Sequence, residues 1–238
     1  MIYPTKGNYI RAEMKISNLI FENPNLLLLM EHFEMDFIVH EKTVKQLCAT
    51  NNINEELFLL IANLYNGFQP TEQQNLTRDD LAAIIKFLKN SHNYYENEKY
   101  PEIRNYLEQL QIQNNSAEIK LIEQFFDEYF NEVKEHLYYE NRVAFPYFNK
   151  LLKNEIASKE EKIEPYSVNE YQEHHSDIES KLNDLKELLL KHVPVENDRV
   201  IRRKIIKSLC ELENDLNIHS TIEETILIPL VSKVESGE

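Results

Sequence analysis

The sequence predicts an all-α protein, in which an antiparallel four-helix bundle is preceded by a small helical N-terminal domain. Only 3 of the 238 residues are Gly. A chain with so few residues that tolerate positive φ is poorly suited to hairpin-rich β structure. Leu, Ile, Glu, Lys, Asn and Tyr dominate in segments that are too long for strands. Four long helical patterns joined by short connections are typical of an antiparallel bundle.

The N-terminal domain is predicted to span residues 1–68 and to contain short helices. Apolar segments at 25–30, 43–48 and 54–61 have helical character. Asn54 is the expected N-cap of the third, because its side-chain oxygen can accept a hydrogen bond from a free backbone N–H of the first turn. Residues 69–79 are polar, contain a proline and lack periodicity, so they are predicted to form a linker.

The second domain is predicted to span residues 80–238. Its four helical patterns cover about 79–112, 117–152, 167–192 and 197–234. Pro101 predicts a bend in the first of them, because proline lacks the N–H that an inner helical turn needs. Asn114, Asn115 and Ser116 are suitable capping residues ahead of the second pattern.

The charge balance excludes two classes of partner. The chain has 26 Lys and Arg against 41 Asp and Glu, a formal net charge of −15. Neither a nucleic acid nor an anionic membrane surface is expected to bind such a chain. No apolar run has the length of a membrane span or the character of a signal peptide. Cys48 and Cys210 are the only cysteines, so no disulfide framework is predicted. We expect a soluble, cytoplasmic protein.

An internal repeat identifies the residues that carry chemistry. Residues 136–146 and 219–229 both read H-x3-E-x5-P, and they lie 83 residues apart. The same offset relates His92 to His175 in the preceding helical patterns. Matched positions of such unusual residue types rarely arise by chance spacing.

The repeated residues are predicted to face the core. Residues four apart on a helix share a face, so each His of a repeat projects together with its Glu. That face is otherwise apolar, with Tyr129, Val133, Val143 and Tyr147 in one half and Leu212, Leu216, Ile226 and Leu230 in the other. Burying a polar group without a partner costs about 1–3 kcal/mol. Six such groups therefore require compensation, and a dinuclear metal site provides it.

The donor set favours iron. Four His and two Glu form a nitrogen and oxygen site without thiolate, which disfavours structural zinc. If each ion takes two His and shares two bridging Glu and one solvent-derived bridge, a coordination position stays open for a small molecule. Manganese remains the alternative metal.

These paired His and H-x3-E-x5-P repeats resemble the hemerythrin-like (HHE) domain, over about residues 80–234. The arrangement is similar to that of the di-iron "repair of iron centres" proteins. Residues 35–48 resemble the small ScdA-type domain that precedes the bundle in that family. The resemblance implies two iron ions, bridged by oxo or hydroxo and carboxylate groups. It implies that the ligands are His92, His136, Glu140, His175, His219 and Glu223.

The chain departs from the family pattern in its N-terminal domain. Family members have a cysteine pair where this sequence has Ile38 and Val39. The side chains that would carry thiol chemistry or metal transfer at these positions are therefore missing. Cys48 matches a cysteine common in the family, and its simplest interpretation is a small buried apolar residue.

His174 competes with His175 for one ligand position. The 83-residue offset and the downstream apolar residues favour His175. Glu96 and its counterpart Glu179 lie four residues after His92 and His175, and are expected at the surface or beside ligands rather than as ligands themselves.

The resemblance implies a non-haem di-iron protein of the nitrosative and oxidative stress response. Such a protein helps repair iron–sulfur clusters, with iron–sulfur proteins as partners, or reacts with NO, O2 or peroxide. One alternative is an O2 or NO sensor that signals to a partner. A second alternative is a metal-free helical interaction protein. Whether the protein is an enzyme, and whether it forms a homodimer, stays open at this point.

Overall fold

The computed structural model describes residues 7–70, 75–152, 179–193 and 198–236, and the regular structure in these ranges is helical. The predicted all-α fold is confirmed. The described ranges contain no strand, and their isolated antiparallel bridge pairs Lys15 with Thr43. The bundle arrangement and the domain boundary at 69–79 stay predictions.

Short helices form the N-terminal region. They are α1 (Ile16–Glu22), α2 (Leu26–His32), α3 (Val44–Asn51) and α4 (Glu55–Tyr65). The three predicted helical segments correspond to α2, α3 and α4. Asn54 caps α4 as predicted, because its side chain accepts a hydrogen bond from the Glu56 N–H. Thr43 caps α3 in a reciprocal capping box with Gln46.

Further helices follow after residue 79. They are α5 (Asp80–Tyr94), α6 (Tyr100–Asn114), α7 (Ala117–Tyr139), α8 (Phe145–Leu152), α9 (Glu179–Glu187), α10 (Arg199–Ile222) and α11 (Ile228–Ser236). Four of these described helices, α5, α6, α7 and α10, are longer than any helix of the N-terminal region. Ser116 caps α7 through the Glu118 N–H, in agreement with the sequence. The buried residues of α7 recur every three or four positions, which is the period of an amphipathic helix: Ile119, Ile122, Phe126, Tyr129, Val133 and Leu137.

In the described residues, three π-helical turns connect consecutive helices without a break, and a fourth follows directly on α9. We name them by their first residue: the Tyr95 turn (Tyr95–Lys99), the Glu140 turn (Glu140–Ala144), the Leu188 turn (Leu188–His192) and the Glu223 turn (Glu223–Leu227). Such a turn holds one residue more than an α-helical turn and is often found at functional sites. The Glu140 and Glu223 turns begin at the two Glu residues of the repeat.

The Glu140 turn makes one sequence expectation wrong. Tyr129 and Val133 are buried as predicted, but Val143 is 39% exposed and Tyr147 is only half-buried. Ala144 and Phe148 are buried instead. The extra residue in the π turn advances the apolar stripe by one position, which a regular 3.6-residue period does not anticipate.

The chain divides into two compact units. The described part of the first comprises residues 7–70, 75–90, 148–152 and 220–236, and that of the second comprises 91–147, 179–193 and 198–219. In the first unit Phe33 packs against Phe58 and Phe87, and Arg78 donates hydrogen bonds to the last carbonyls of α8, those of Leu151 and Leu152.

The core of the second unit is rich in aromatic rings. Tyr100 stacks on Phe130 with ring centroids 4.2 Å apart, and it also packs against Phe126 and Tyr129. Buried aliphatic residues of α6, α7, α9 and α10 complete this core. They form an apolar setting in which polar side chains need specific partners.

No helix in residues 7–70, 75–152, 179–193 and 198–236 has the length and apolar character that crossing a bilayer requires.

Candidate metal centre

Helix ends position the predicted ligands. His92 lies in the last turn of α5, and His136 lies in the last turn of α7, one turn before Glu140. His219 lies in the last turn of α10, one turn before Glu223. Each His–Glu pair therefore projects from one helical face, as its four-residue spacing predicts.

Three imidazole rings and a carboxylate meet in the second unit. The Nε2 atoms of His92 and His219 are 3.3 Å apart. The Nε2 of His92 lies 3.3 Å from one oxygen of Glu140, and the Nε2 of His136 lies 3.3 Å from the other. Each of the three rings thus turns the same nitrogen toward the common centre.

Four of these residues form a group of the size of a metal site. One ligand atom from each lies within 4.8 Å of the others: His92, Glu140, His219 and Glu223. Donor atoms on opposite sides of one ion, with bonds of about 2.0–2.1 Å, are roughly 4 Å apart. The four residues could therefore hold a metal ion after a small inward movement of their side chains.

Burial makes this grouping costly without compensation. His92, Glu140, His219 and Glu223 are all buried. Isolated carboxylates are strongly disfavoured in such places unless they are paired or coordinate a metal. The donor set of imidazole nitrogens and carboxylate oxygens fits iron or another divalent first-row metal.

The electrostatics of Glu140 favour its ionised form. Burial opposes ionisation, but hydrogen bonds from His136 and His92 and their positive charge outweigh it, and they hold the pKa of Glu140 well below its usual value of 4.5. Metal ions bind carboxylates and imidazoles in their deprotonated forms. Glu140 is therefore kept in the form that binds a metal ion, whereas the imidazoles that favour this form must lose their positive charge before they can bind one.

Ser91 orients the ring of His219. The Ser91 Oγ lies 2.8 Å from Nδ1 of His219, and both side chains are buried. When Nδ1–H donates to the serine oxygen, the Nε2 lone pair of His219 faces the centre. Such a hydrogen bond on the outer nitrogen is the usual way in which proteins fix the tautomer of a metal-binding His.

Aromatic rings enclose the two central imidazoles. Phe145 stacks on His92 with centroids 5.5 Å apart and an interplanar angle of 23°. Tyr95 contacts the ring of His219 edge to face at 5.8 Å. The Tyr95 hydroxyl donates a 2.7 Å hydrogen bond to Asp215, and both residues are buried. The rings limit water access and hold the imidazoles in place.

The structure brings together His92, Glu140, His219 and Glu223. His136 contacts Glu140 but does not belong to the group of four. His174 and His175 lie outside the described residues, so the choice between them stays a prediction, as does ligation itself. Glu96 is half-buried and belongs to no group of candidate ligands within the described residues.

Sequence reasoning missed Ser91, Phe145 and Asp215. None of them repeats with its own residue type after 83 positions, because Ser91 corresponds to His174 and Phe145 to Ile228. The one sequence feature that could have indicated two of them is their nearness to a repeat His. Ser91 directly precedes His92, and Asp215 lies one helical turn before His219.

The chain was compared with known proteins. No family model and no curated protein matches it.

Proposed function

We propose that this chain is a non-haem metal protein that holds iron in a buried site of His and Glu residues. The observation that carries the proposal is the convergence of His92, Glu140, His219 and Glu223 in an apolar interior. These four buried side chains place one nitrogen or oxygen donor each within 4.8 Å of the others, which is the arrangement that a bound metal ion uses.

The proposal includes a second ion. His136 lies 3.3 Å from the Glu140 oxygen that does not face His92. A carboxylate whose two oxygens face different imidazoles is suited to bridging two ions. The second ion is proposed to use His136 and His175, with Glu140 and Glu223 as bridges.

The proposed metal is iron, with manganese as the alternative. The described part of the site has nitrogen and oxygen donors without thiolate, which suits metals with octahedral or five-coordinate preferences. Bound iron would supply one-electron redox chemistry and open positions for NO, O2 or peroxide. The protein's residues would hold the ions, keep Glu140 ionised and exclude bulk water.

The proposed architecture is an antiparallel four-helix bundle. Long helices separated by connections as short as Asn115–Ser116, between α6 and α7, support antiparallel neighbours. The small N-terminal helices are proposed to form a domain of their own.

The proposed cellular role is nitrosative and oxidative stress response, with repair of iron–sulfur clusters. It is supported by the resemblance of the repeats to hemerythrin-like domains. The alternative role is a sensor of O2 or NO. It is favoured by one observation: at the position of the family's cysteine pair, Val39 is buried and Ile38 is 68% exposed. Neither side chain can transfer metal through a thiolate, but Ile38 can contact a partner.

The test is metal analysis of purified protein grown with iron, together with its optical spectrum. The variant is Glu140→Ala/Glu223→Ala, which removes both proposed bridges. The matched control is Glu135→Ala/Glu224→Ala, which makes the same charge change at exposed neighbours of the same repeats.

We expect wild type and control to hold stoichiometric iron with oxo-bridge absorption, and the bridge variant to lose both. Iron retained by the bridge variant contradicts the assigned site. A wild-type protein without metal contradicts the whole proposal and leaves a metal-free interaction protein. Rapid consumption of NO or peroxide distinguishes the reactive role from the sensor.

A further inference from the structure

The prolines of the repeat are not among the proposed metal ligands. Pro146 and Pro229 complete the two H-x3-E-x5-P motifs. Each stands two residues after the last residue of a π turn, namely the Glu140 turn and the Glu223 turn. Pro101 stands in the same relation to the Tyr95 turn.

The backbone hydrogen bonds of these turns are alike. In each turn the residue before the proline donates its N–H to the carbonyl five positions earlier. The donor and acceptor pairs are Tyr100 to Tyr95, Phe145 to Glu140 and Ile228 to Glu223. A regular α-helix would use the carbonyl four positions earlier.

The proline explains why the turn before it is π-helical. Its ring has no N–H and collides with the carbonyl four residues earlier, which for Pro146 is that of Arg142. One extra residue in the preceding turn moves that carbonyl away and places the proline in the first turn of a new α-helical segment, where it is tolerated.

The extra residue changes which side chain faces the site. One residue corresponds to about 100° of rotation about a helix axis. Phe145, five positions after Glu140, is buried and stacks on His92. Val143, which would share the face of Glu140 in a regular helix, is 39% exposed. The Glu140 turn thus aligns a carboxylate and an aromatic ring on one face.

We propose that Pro146 and Pro229 are positioning residues of the metal centre. Each keeps the turn that starts at a repeat Glu in the π-helical form, and Pro146 thereby places Phe145 against His92. The inference rests on the proposed metal-binding function, and it assigns a role in that site to residues that lie outside the ligand set.

Pro101 is the matched control. Its turn has the same hydrogen-bond pattern but begins at Tyr95. The Tyr95 side chain contacts His219, but as the first residue of the turn it precedes any change of helical phase. The residue that it places, Tyr100, packs on Phe126 and Phe130 rather than on a repeat His. Loss of this turn should lower stability without changing the metal centre.

The experiment measures cobalt(II) binding to the full chain, by competition with a chelator and by the ligand-field spectrum. The variants are Pro146→Ala, Pro229→Ala and Pro101→Ala, with circular dichroism as a check of folding. An alanine restores the N–H and lets the turn relax to the α-helical form.

We expect Pro146→Ala and Pro229→Ala to bind cobalt(II) about 10–100-fold more weakly, which is typical when support of a metal ligand is removed. We also expect the ligand-field spectrum to change. Pro101→Ala should keep the wild-type affinity and spectrum.

A rescue variant distinguishes the placement of Phe145 from a general effect of the proline on folding stability. Pro146→Ala combined with deletion of Ala144 removes the extra residue, so an α-helical turn would return Phe145 to the face of Glu140. We expect this variant to recover most of the affinity and the spectrum. If Pro146→Ala alone does not fold, recovery of folding and of cobalt binding by the deletion supports the proposal, and no recovery contradicts it.

Two failures are distinguishable. A wild-type chain that binds no metal overturns the proposed function and with it this inference. A wild-type chain that binds cobalt, beside folded Pro146→Ala and Pro229→Ala variants with the same affinity and spectrum, overturns the inference alone.

Discussion

The Nε2 atoms of His92 and His219 lie 3.3 Å apart although the two residues are 127 positions apart in the chain. Two imidazoles in such contact place one donor and one acceptor nitrogen together, or two lone pairs around a cation. Glu140 approaches the same nitrogen of His92. This contact links the two halves of the repeat within the second unit.

Removal of the Ser91 hydroxyl should weaken metal binding. Ser91→Ala leaves Nδ1 of His219 without the 2.8 Å partner that orients it. We expect about 10–100-fold weaker binding, measured by competition with a chelator. Ser208→Ala is the control, because Ser208 is buried and hydrogen-bonded to Glu102 rather than to a repeat His. Equal affinities of the two variants would count against an orienting role of Ser91.

Glu140 should make the stability of the metal-free protein depend on pH. Burial opposes its ionisation, but His136 and His92 outweigh it and lower its pKa below 4.5. A carboxyl group with a lowered folded pKa stabilises the fold above its unfolded pKa, and this contribution is lost as the pH falls through the folded value. With chelator present, Glu140→Gln should therefore be less stable than wild type by about 1–3 kcal/mol near neutral pH.

Urea unfolding across the acidic range measures this difference. It should shrink as the pH falls below 4.5, whereas the exposed control Glu135→Gln should change little. A difference that stays constant or grows on acidification would contradict the expected ionisation of Glu140.

Removing the two carboxylates that pair with Lys99 should cost more folding stability than removing Lys99 itself. Its buried ammonium group lies 3.0 Å from Glu102 and 2.6 Å from Glu211, whose carboxylates are 38% and 40% exposed. Burial disfavours the charge, but the two carboxylates outweigh it and raise the pKa of Lys99. The pairs are therefore intact below the usual lysine pKa of 10.5, and their contribution would be lost only as the pH rises through the higher folded value.

Glu102→Gln/Glu211→Gln should cost about 3–5 kcal/mol at neutral pH, because it leaves a buried charge without a counter-charge. Lys99→Met should cost about 1 kcal/mol or less, since the carboxylates it leaves can reach water. Urea unfolding at neutral pH measures both. The reverse order would show that the lysine charge is solvated.

Cys48 should react slowly with thiol reagents in the native protein. Burial, assisted by the negative charge of Glu55, raises its pKa to about 12, so little thiolate is present at mildly alkaline pH. Cys210 is only half-buried and should react first, although burial also raises its pKa. Labelling rates of Cys48→Ala and Cys210→Ala, in buffer and in urea, separate the two thiols. Fast native labelling of Cys48 would contradict its buried, structural role.

The helical elements could be predicted because they depend on local patterns. The three- and four-residue spacing of Ile119, Ile122 and Phe126 and the capping side chains of Asn54 and Ser116 act over a few residues of chain. The repeat also predicted that His and Glu would share a face. Their four-residue spacing is independent of what packs against them.

The π turns could not be predicted from periodicity. A shift of one residue in the hydrogen-bond ladder leaves the overall hydrophobic pattern helical but moves the buried position from Val143 to Ala144. The prolines were visible, and a bend before Pro101 was expected. Whether the helix bends or forms a π turn before a proline depends on which backbone carbonyl accepts the N–H of the preceding residue. Local sequence patterns do not specify this.

The sequence by itself determined the all-α class, the helix faces and the repeated His–Glu pairs, because these depend on interactions within one or two helical turns. Only the tertiary structure decided that Ser91 meets His219, that Phe145 stacks on His92 and that Tyr95 bonds Asp215. These contacts join distant helices, so they depend on how the helices pack and on the phase shift that the π turns introduce. Helical spacing specifies which residues share a face, whereas packing selects the residues of other helices that meet them.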